Sequence, residues 1–498
     1  MLEALYHGLL MTLQWKVFAV MMITIPIGLI LGILPGVGGK VGLAIMIPFV
    51  FGMDPAVAMA FLLAMHAVVH TGSPVPAILF NVPDGPAAAT CIDGYPMAQK
   101  GEAGRALGAA LASSGFGGVV GALFMALTIP VVRPIVLAFG PPEFFMMTLV
   151  GITFISLMSG GSLMKGLIAG GLGMTLAFVG MDPQTGVVRF AFDQLYLFDG
   201  INIVNVSIGV FAIPEVIGMI KDGGTIAHTK ADALKGSGVW QGIKDTFIHW
   251  NLTLRCSIIG SIVGMVPGLG GEAASFICYG HAVQTSKTPE RFGKGAVEGV
   301  LAPESSNNSK EGGGLIPTVA FGVPSSGAMA ILLGAFMIIG LVPGQEMLTK
   351  HLDLVFSMVW VLAFANIIGV LLCLVFVIPL AKITFLKVSM IIPFILVFSF
   401  LGSFLATNNF GDIMVTCLIG AVGYGLKTYH FPRAPLVLGA VLGDLTENYL
   451  HLSLNLFGIA FLLRPLTLLL LTLIILTIFF QLRRTRRLER AAQQGGTA

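Results

Sequence analysis

Long apolar runs without a single charged residue recur along this chain of 498 residues. A helix that crosses the hydrocarbon core of a bilayer, about 30 Å thick, needs about 20 apolar residues. Lipid offers no hydrogen-bonding partner, so backbone at that depth is helical or enclosed by protein. We therefore predict an all-α polytopic membrane protein with roughly ten to fourteen spans. The longest uncharged runs are 17–34, 107–132, 144–164, 354–381 and 388–411.

The composition argues against most other classes of protein. Hydrophobic residues make up 56% of the chain and charged residues 10%, whereas an ordinary soluble domain is about 25% charged. So few charges cannot cover a soluble enzyme or a nucleic-acid-binding protein with polar surface. The net charge of +3 is too small to indicate an acidic partner. The five cysteines show no metal-ligand spacing, so we expect no disulfide framework, metal centre or cofactor.

Two polar stretches, 221–250 and 284–311, interrupt the apolar pattern. The first contains four lysines and is the longest clear linker. The C-terminal segment QLRRTRRLER carries five arginines directly after an apolar run. Excess basic residues mark the cytoplasmic side of a membrane, so we expect both the linker and the tail there. This predicts a first membrane repeat at 1–220, the linker at 221–250, a second repeat at 251–465, and a final transmembrane helix with its basic tail at 466–498.

Two short motifs occur once on each side of the linker, in the same order. GILPGVGG at 32–39 matches GMVPGLGG at 264–271, and PAILFNVP at 76–83 matches PTVAFGVP at 317–324. Glycine and proline are common in membrane helices, but two motif pairs in one order favour an internal duplication. Inverted halves each need an odd number of crossings. An extra final helix near 466–480 would then return the tail to the cytoplasm.

The first motif of each half predicts a broken helix or a re-entrant hairpin, because proline and successive glycines interrupt helical structure. The free N–H groups of one stub attract anions and the free C=O groups of the other attract cations. Such breaks at matching positions in two halves indicate a transport site near the bilayer midplane. We expect Na⁺ to bind, if it does, near Gly38, Ser73, Gly270 and Ser305. The predicted substrate-binding residues are Gly36, Gly38, Gly39, Lys40, Asn81, Pro83, Gly268, Gly270, Gly271, Asn307, Asn308, Pro324, Ser325 and Ser326.

Some of these residues have an alternative structural interpretation. Lys40 contacts an anion or extends to the membrane interface, and the sequence favours neither. His66 and His70 are spaced i, i+4 and have the spacing of metal ligands, but no third ligand is visible in the sequence. We therefore expect these two histidines to pack or hydrogen-bond between helices.

Long sequence blocks surround both motif pairs. In the first half they are GILPGVGG, IPFVFGMDP and AILFNVPDGPAAATCIDGYPMAQKGEAGRALGAALASS. In the second half they are MVPGLGGEAASFICYG and PERFGKGAVEGVLAPESSNNSKEGGGLIPTVAFGVPSSGAMAILLGAF. Over most of residues 20–460 the chain thereby resembles the large membrane subunit of the bacterial tripartite tricarboxylate transporters, the TctA family. Lys40, Met65-His66 and the segment 81–84 depart from the family pattern, which leaves the substrate open.

The resemblance implies a secondary transporter of the bacterial inner membrane with a cytoplasmic C-terminus. Its substrates would be carboxylates, citrate and other tricarboxylates among them, taken up with a Na⁺ or proton gradient. Its partners would be a small membrane subunit and a periplasmic solute-binding protein. By fold analogy, the resemblance also implies an elevator-like movement of one domain against another.

Two other functions are compatible with the composition. A stand-alone channel or carrier for small anions would work without a binding protein. An intramembrane enzyme would need a nucleophile beside a base, and no convincing pair is present in the sequence. We therefore expect a transporter without enzymatic activity.

Overall fold

Helices make up almost the whole of the computed structural model, as the apolar runs predict. Sheet within the described residues is confined to one antiparallel pair, β1 (Gly180–Met181) and β2 (Val188–Arg189). The prediction of an all-α membrane protein is confirmed. The structure describes residues 1–34, 38–83, 85–158, 162–182, 185–222, 238–267, 270–383 and 388–495.

The helices divide at the predicted linker. Those before it are α1 (Leu2–Leu13), α2 (Trp15–Ile33), α3 (Gly38–Met46), α4 (Pro55–Gly72), α5 (Pro74–Phe80), α6 (Ala88–Gln99), α7 (Ala103–Leu137), α8 (Pro141–Met158), α9 (Leu163–Ala177), α10 (Ile203–Ser207) and α11 (Ile213–Asp222). The helices that follow are α12 (Val239–Ile248), α13 (Trp250–Met265), α14 (Gly270–Thr285), α15 (Glu298–Phe321), α16 (Gly327–Ile338), α17 (Gln345–Thr349), α18 (Leu352–Ile383), α19 (Val388–Thr407), α20 (Phe410–Thr428), α21 (Ala434–Phe457) and α22 (Pro465–Gly495).

Seven helical segments of the described chain are long and apolar enough to cross a membrane. An eighth is the pair Ala434–Leu463 and Pro465–Phe479, which is bent by 68°. This number is lower than the ten to fourteen spans predicted, because some apolar runs form only short helices such as Leu163–Ala177 and Gly327–Ile338. The seven segments are Trp15–Ile33, Pro55–Phe80, Ala103–Leu137, Ile203–Lys221, Leu352–Phe376, Ser389–Thr407 and Phe410–Thr428.

Helix α15 is buried from Gly299 to Ala320, although its sequence is among the most polar in the chain. Helices α7 and α13 pack along it. A β-carbon at Gly121 of α7 would lie 2.7 Å from the Ser309 Cα, so only glycine allows this approach. The sequence grouped 284–311 with the polar interruptions, yet residues 298–311 belong to this buried helix. Neighbouring helices, rather than lipid or water, surround its polar side chains.

The predicted linker is only partly described, since 223–237 lie outside the described residues. Helix α12 occupies most of the remainder and packs on α7. There the Arg105 Nε donates to the Asp245 Oδ2 over 2.6 Å. The second part of the predicted linker is therefore a helix attached to the first half of the chain.

Candidate functional site

The two Pro/Gly motifs break their helices in the same way. Helix α2 ends at Ile33 and α13 ends at Met265, and the next residue is extended in both copies, with φ −81° at Leu34 and −82° at Val266. The second stubs, α3 and α14, begin at Gly38 and Gly270, which occupy the same motif position. Gly36 and Gly268, predicted to bind substrate, lie outside the described residues. The motif glycines therefore open a short helix in each half.

The second motif pair also adopts one backbone conformation in its two copies. Asn81 and Gly322 occupy the same motif position and both are left-handed, with φ 55° and 67°. The following amide donates back to the motif proline in each copy, from Val82 to Pro76 and from Val323 to Pro317. A left-handed residue after a helix is usually glycine and sometimes asparagine. The structure therefore gives Asn81 a conformational role at the end of α5.

A buried cluster of four ionisable side chains joins α4 of the first half to α15 of the second. Glu311 accepts from two histidines, with 3.0 Å between its Oε2 and the His66 Nε2 and 3.1 Å between its Oε1 and the His70 Nε2. The Lys310 Nζ lies 3.3 Å from the Glu311 Oε1 and 3.5 Å from the His70 Nε2. All four residues are buried, with exposed fractions of 7% or less. Ionisable residues at this depth are costly and characteristically functional.

This cluster lies against both broken helices. A β-carbon at Gly39 of the first motif would lie 2.8 Å from the His66 Nδ1, so the imidazole edge faces that glycine. A β-carbon at Gly271, the last residue of GMVPGLGG, would lie 2.6 Å from the Lys310 Cε and would also meet its ammonium group. The described ends of the two motifs therefore approach one another through a charged cluster, and Glu311 connects the histidine side to the lysine side.

His66, His70 and Glu311 together offer three atoms of the kinds that bind transition metals, all within 4.8 Å of one another. The ammonium of Lys310, however, lies within 3.5 Å of ligand atoms on two of these residues. A second cation at those atoms would be repelled by Lys310 at close range. The arrangement is therefore that of an ion-pair and hydrogen-bond network rather than of a metal centre.

A sequence model described as "Tripartite tricarboxylate transporter TctA family" matches residues 18–438, which include both motif pairs and the whole cluster. The chain belongs to the TctA family. It is therefore a multi-pass membrane component of a transporter and not an enzyme, as the resemblance of its sequence blocks predicted. The family is that of the large subunit of a tripartite transporter, which implies a small membrane subunit and a binding protein as partners.

Two relatives of this TctA protein come from Agrobacterium vitis. An "uncharacterized 52.8 kDa protein in TAR-I ttuC′ 3′ region" is 33% identical over 85% of this chain and 84% of its own length. An "uncharacterized protein in TAR-II ttuC′ 3′ region" is 35% identical over 39% of this chain and 79% of its own length. No solved structure matches the chain significantly.

The predicted asparagines of the TctA chain lie on α15, one helical turn before the cluster. The Asn308 Nδ2 donates to the Thr71 Oγ1 over 2.9 Å and to the Asn366 Oδ1 over 2.5 Å, so Asn308 ties α15 to α4 and α18. Neither amide atom of Asn307 has a hydrogen-bond partner among the described residues, although the side chain is fully buried. Buried amides without partners are rare. Both polar atoms of the Asn307 side chain are therefore without a partner among the described residues. The Asn308 side-chain NH₂ group, in contrast, is already used in two hydrogen bonds.

Other predicted substrate ligands lie at the start of α16. The Ser326 hydroxyl caps this helix by accepting from the Met329 amide over 3.3 Å. A β-carbon at Gly327 would lie 3.4 Å from the Lys40 Cε. Lys40, which directly follows GILPGVGG, therefore reaches the segment that follows PTVAFGVP in the second half. Pro324 and Ser325 are buried beside it. Pro83, in contrast, is exposed after the turn that ends α5.

The two serines predicted near Na⁺ are both buried within helical turns. The Ser73 hydroxyl donates to the His70 carbonyl over 3.2 Å, and the Ser305 hydroxyl donates to the Ala302 carbonyl over 3.0 Å. Each hydroxyl donates its hydrogen within its own helical segment, and Na⁺ binding near these serines stays a prediction.

Sequence reasoning missed Glu311 and Lys310. It found His66 and His70 at the spacing of one helical turn but recognised no third partner for them. The missing partner is 245 residues from His66 in the sequence, in a segment interpreted as polar interruption. One sequence signal could have pointed to these two residues. Lys310 and Glu311 are adjacent residues of opposite charge, and they directly precede three glycines in a segment that strongly resembles the family.

A second buried carboxylate, Asp412, lies at the start of α20. It accepts from the Tyr196 hydroxyl over 2.6 Å, from the Asn205 amide over 2.5 Å and from the Thr407 hydroxyl. Tyr196 belongs to the loop between β2 and α10. Burial, and then the hydrogen bond to Asp412, raise the pKa of this tyrosine. Asp412 therefore ties a loop to the ends of α19 and α20.

Proposed function

We propose that this chain is the translocating subunit of a binding-protein-dependent secondary transporter that imports carboxylates, tricarboxylates among them, with a Na⁺ or proton gradient. The transporter role follows from the family. The substrate class is supported by one observation above the others, namely that the glycine ends of two broken helices lie against one buried cluster with a lysine and two histidines.

This arrangement suits a carboxylate on physical grounds. A short helix begins at the glycines of each motif, and the first N–H groups of a helix favour anions. The Lys310 ammonium lies at the second break and the His66 ring lies at the first. Since Glu311 already balances Lys310, the empty site is not strongly charged. An anion bound by the N–H groups beside this pair leaves both buried charges, Lys310 and Glu311, paired with each other.

We further infer that a periplasmic binding protein delivers the carboxylate and that the small membrane subunit completes the assembly in the bacterial inner membrane. The five arginines of QLRRTRRLER favour a cytoplasmic C-terminus by the positive-inside rule. A movement of the two broken helices together, relative to the longer spans, would carry the site across the membrane.

The test is uptake of labelled citrate into vesicles that hold this chain with its small subunit and binding protein. Replacing Gly38 or Gly270 by valine abolishes uptake while the protein stays in the membrane. Gly38 is left-handed at φ 53°, where a β-branched residue is strained. Gly280→Val is the matched control, because Gly280 lies on the same helix as Gly270 and a β-carbon there meets nothing within 4 Å.

The same vesicles separate this function from that of a stand-alone anion carrier. Omitting the binding protein stops uptake if the assembly is tripartite, whereas a stand-alone carrier continues to transport. Normal uptake by both the Gly38 and Gly270 variants would contradict a site at the two breaks. Transport of none of a panel of labelled carboxylates would contradict the substrate class.

A further inference from the structure

We propose that His66 is the proton-binding residue of the transporter, so that a proton and the anionic cargo enter together at the first broken helix. The inference rests on the proposed function and deepens it by naming the coupling ion and the atom that carries it. That atom is the Nδ1 of His66.

The hydrogen bonds of His66 determine which ring nitrogen is free. Its Nε2 lies 3.0 Å from the Glu311 Oε2. A carboxylate is an acceptor only, so the Nε2 must carry the hydrogen of a neutral ring and the Nδ1 must be the bare, basic nitrogen. The Nδ1 is fully buried and has no hydrogen-bond partner among the residues that the structure describes. His66 therefore presents an unused proton acceptor inside the protein.

This acceptor faces the first break rather than the rest of the cluster. A β-carbon at Gly39 would lie 2.8 Å from the Nδ1. A proton added at the Nδ1 leaves the Nε2 bond to Glu311 in place and creates a new charged N–H donor directed towards the motif. An anion bound at the broken helix would receive that hydrogen bond.

Charge balance couples the two events. With neutral histidines, Lys310 and Glu311 cancel, and the cluster has no net charge. One carboxylate group added to this buried site makes it negative, and one proton on His66 restores neutrality. Uncompensated charge is expensive in a buried site. Each ligand therefore raises the affinity for the other, which is the linkage that a symporter needs.

The neighbouring groups favour a proton over Na⁺ as the ion that binds at this cluster. The Lys310 Nζ lies 3.3 Å from the Glu311 Oε1, so a metal cation would have to share that carboxylate with an ammonium group. His70 is the other titratable neighbour on α4, and its Nε2 lies 3.1 Å from the Glu311 Oε1 and 3.5 Å from the Lys310 Nζ. The helices packed against α4 carry the following charged residues and histidines outside the cluster: Glu3 and His7 on α1, Lys16 on α2, Lys40 on α3, Arg105 and Arg133 on α7, Glu298 and Glu304 on α15, and Asp353 and Lys382 on α18.

The decisive variant is His66→Gln in the reconstituted tripartite assembly. Glutamine keeps a donor for Glu311 but has no atom that is protonated near neutral pH. Two measurements are compared: exchange of labelled citrate at equal pH on both sides, and citrate accumulation driven by an inward proton gradient without Na⁺. A gradient of one pH unit supports about tenfold accumulation for each coupled proton. We expect wild type to show both activities, and His66→Gln to keep exchange within about threefold while its accumulation falls to the level without a gradient.

The matched control is His7→Gln, since His7 is half exposed and pairs with Asp353 away from the cluster. It should accumulate citrate like wild type. A dye inside the vesicles reports proton entry, and a proton carried on citrate itself would still enter with His66→Gln. Gly39→Ala provides a second variant, because its methyl group covers the Nδ1 from the motif side, and it should lose gradient-driven accumulation as well.

Three outcomes overturn the inference. The first is full gradient-driven accumulation by His66→Gln. The second is accumulation by wild type on a Na⁺ gradient alone with no proton entry. This measurement identifies the coupling ion even if the variants fail to insert into the membrane. The third is absence of exchange and uptake in wild type, under every gradient, for each of a panel of labelled carboxylates, which overturns the proposed substrate class as well. The first outcome rejects the role of His66 and leaves the proposed function intact.

Discussion

Glu311 and Glu143 are both buried carboxylates of the TctA chain, and their partners differ in kind. Glu143, at the start of α8, accepts from the Arg464 Nε over 2.8 Å, from the Thr467 hydroxyl over 3.1 Å and from the Gly140 amide over 2.8 Å. These donors lie in one turn and at the bend between α21 and α22. Each holds its hydrogen permanently near neutral pH. Glu143 therefore fastens a structural bend.

Glu311 is held instead by two imidazoles and a lysine. An imidazole has a second ring nitrogen that can accept a proton, and the Nδ1 atoms of His66 and His70 are both unpartnered among the described residues. Because both carboxylates are buried, burial does not by itself indicate function. What distinguishes the two sites is whether the partners can change their protonation and whether they face a break in a helix.

The largest expected effect belongs to Glu311→Gln. The substitution leaves Lys310 buried without its counter-charge, and breaking a buried pair in this way costs about 3–5 kcal/mol. If that cost falls on the transport cycle, citrate uptake drops by at least about a hundredfold, since 1.4 kcal/mol is a factor of ten. Uptake is measured per molecule inserted in the membrane. Wild-type uptake by this variant would show that Glu311 is no more functional than Glu143.

Glu143→Gln tests the other side of the comparison. The glutamine loses the charge that strengthens the bonds from Arg464, and hydrogen bonds to charged groups contribute about 1.5–3 kcal/mol. We expect a lower unfolding temperature in detergent, with citrate uptake per inserted molecule within about twofold of wild type. Strong loss of uptake at an unchanged unfolding temperature would mean that the bend between α21 and α22 takes part in transport.

The smallest effect is expected at Asn81. Substitutions there test whether the two motif copies need only the same left-handed backbone. Asn81→Gly should be tolerated, because Gly322 holds the same left-handed position in the second copy. Asn81→Ala should destabilise the protein by about 1–2 kcal/mol, the cost of a left-handed alanine. Unfolding temperature and the half-saturating citrate concentration are measured together. A large rise in that concentration for Asn81→Gly, at unchanged stability, would make Asn81 a substrate ligand.

Much of the fold was predictable, and the motif positions show why. The breaks after Ile33 and Met265 follow from proline and glycine, whose effects on the backbone are local. The apolar runs predicted helices for the same reason. The described residues contain fewer span-length helices than the ten to fourteen spans predicted, because hydropathy does not distinguish a full crossing from a short helix such as Leu163–Ala177. Helix α15 was missed as a buried element because its window is polar.

The class of protein, the family and the positions of the helix breaks follow from the sequence alone, since each depends on residues that are close together in the chain. The contacts of His66 and His70 with Lys310 and Glu311, more than 200 residues away, are visible only in the folded chain. A polar residue has no fixed environment of its own. The helices packed around α15 determine whether its charges meet water, lipid or one another, and no local pattern records which neighbours those are.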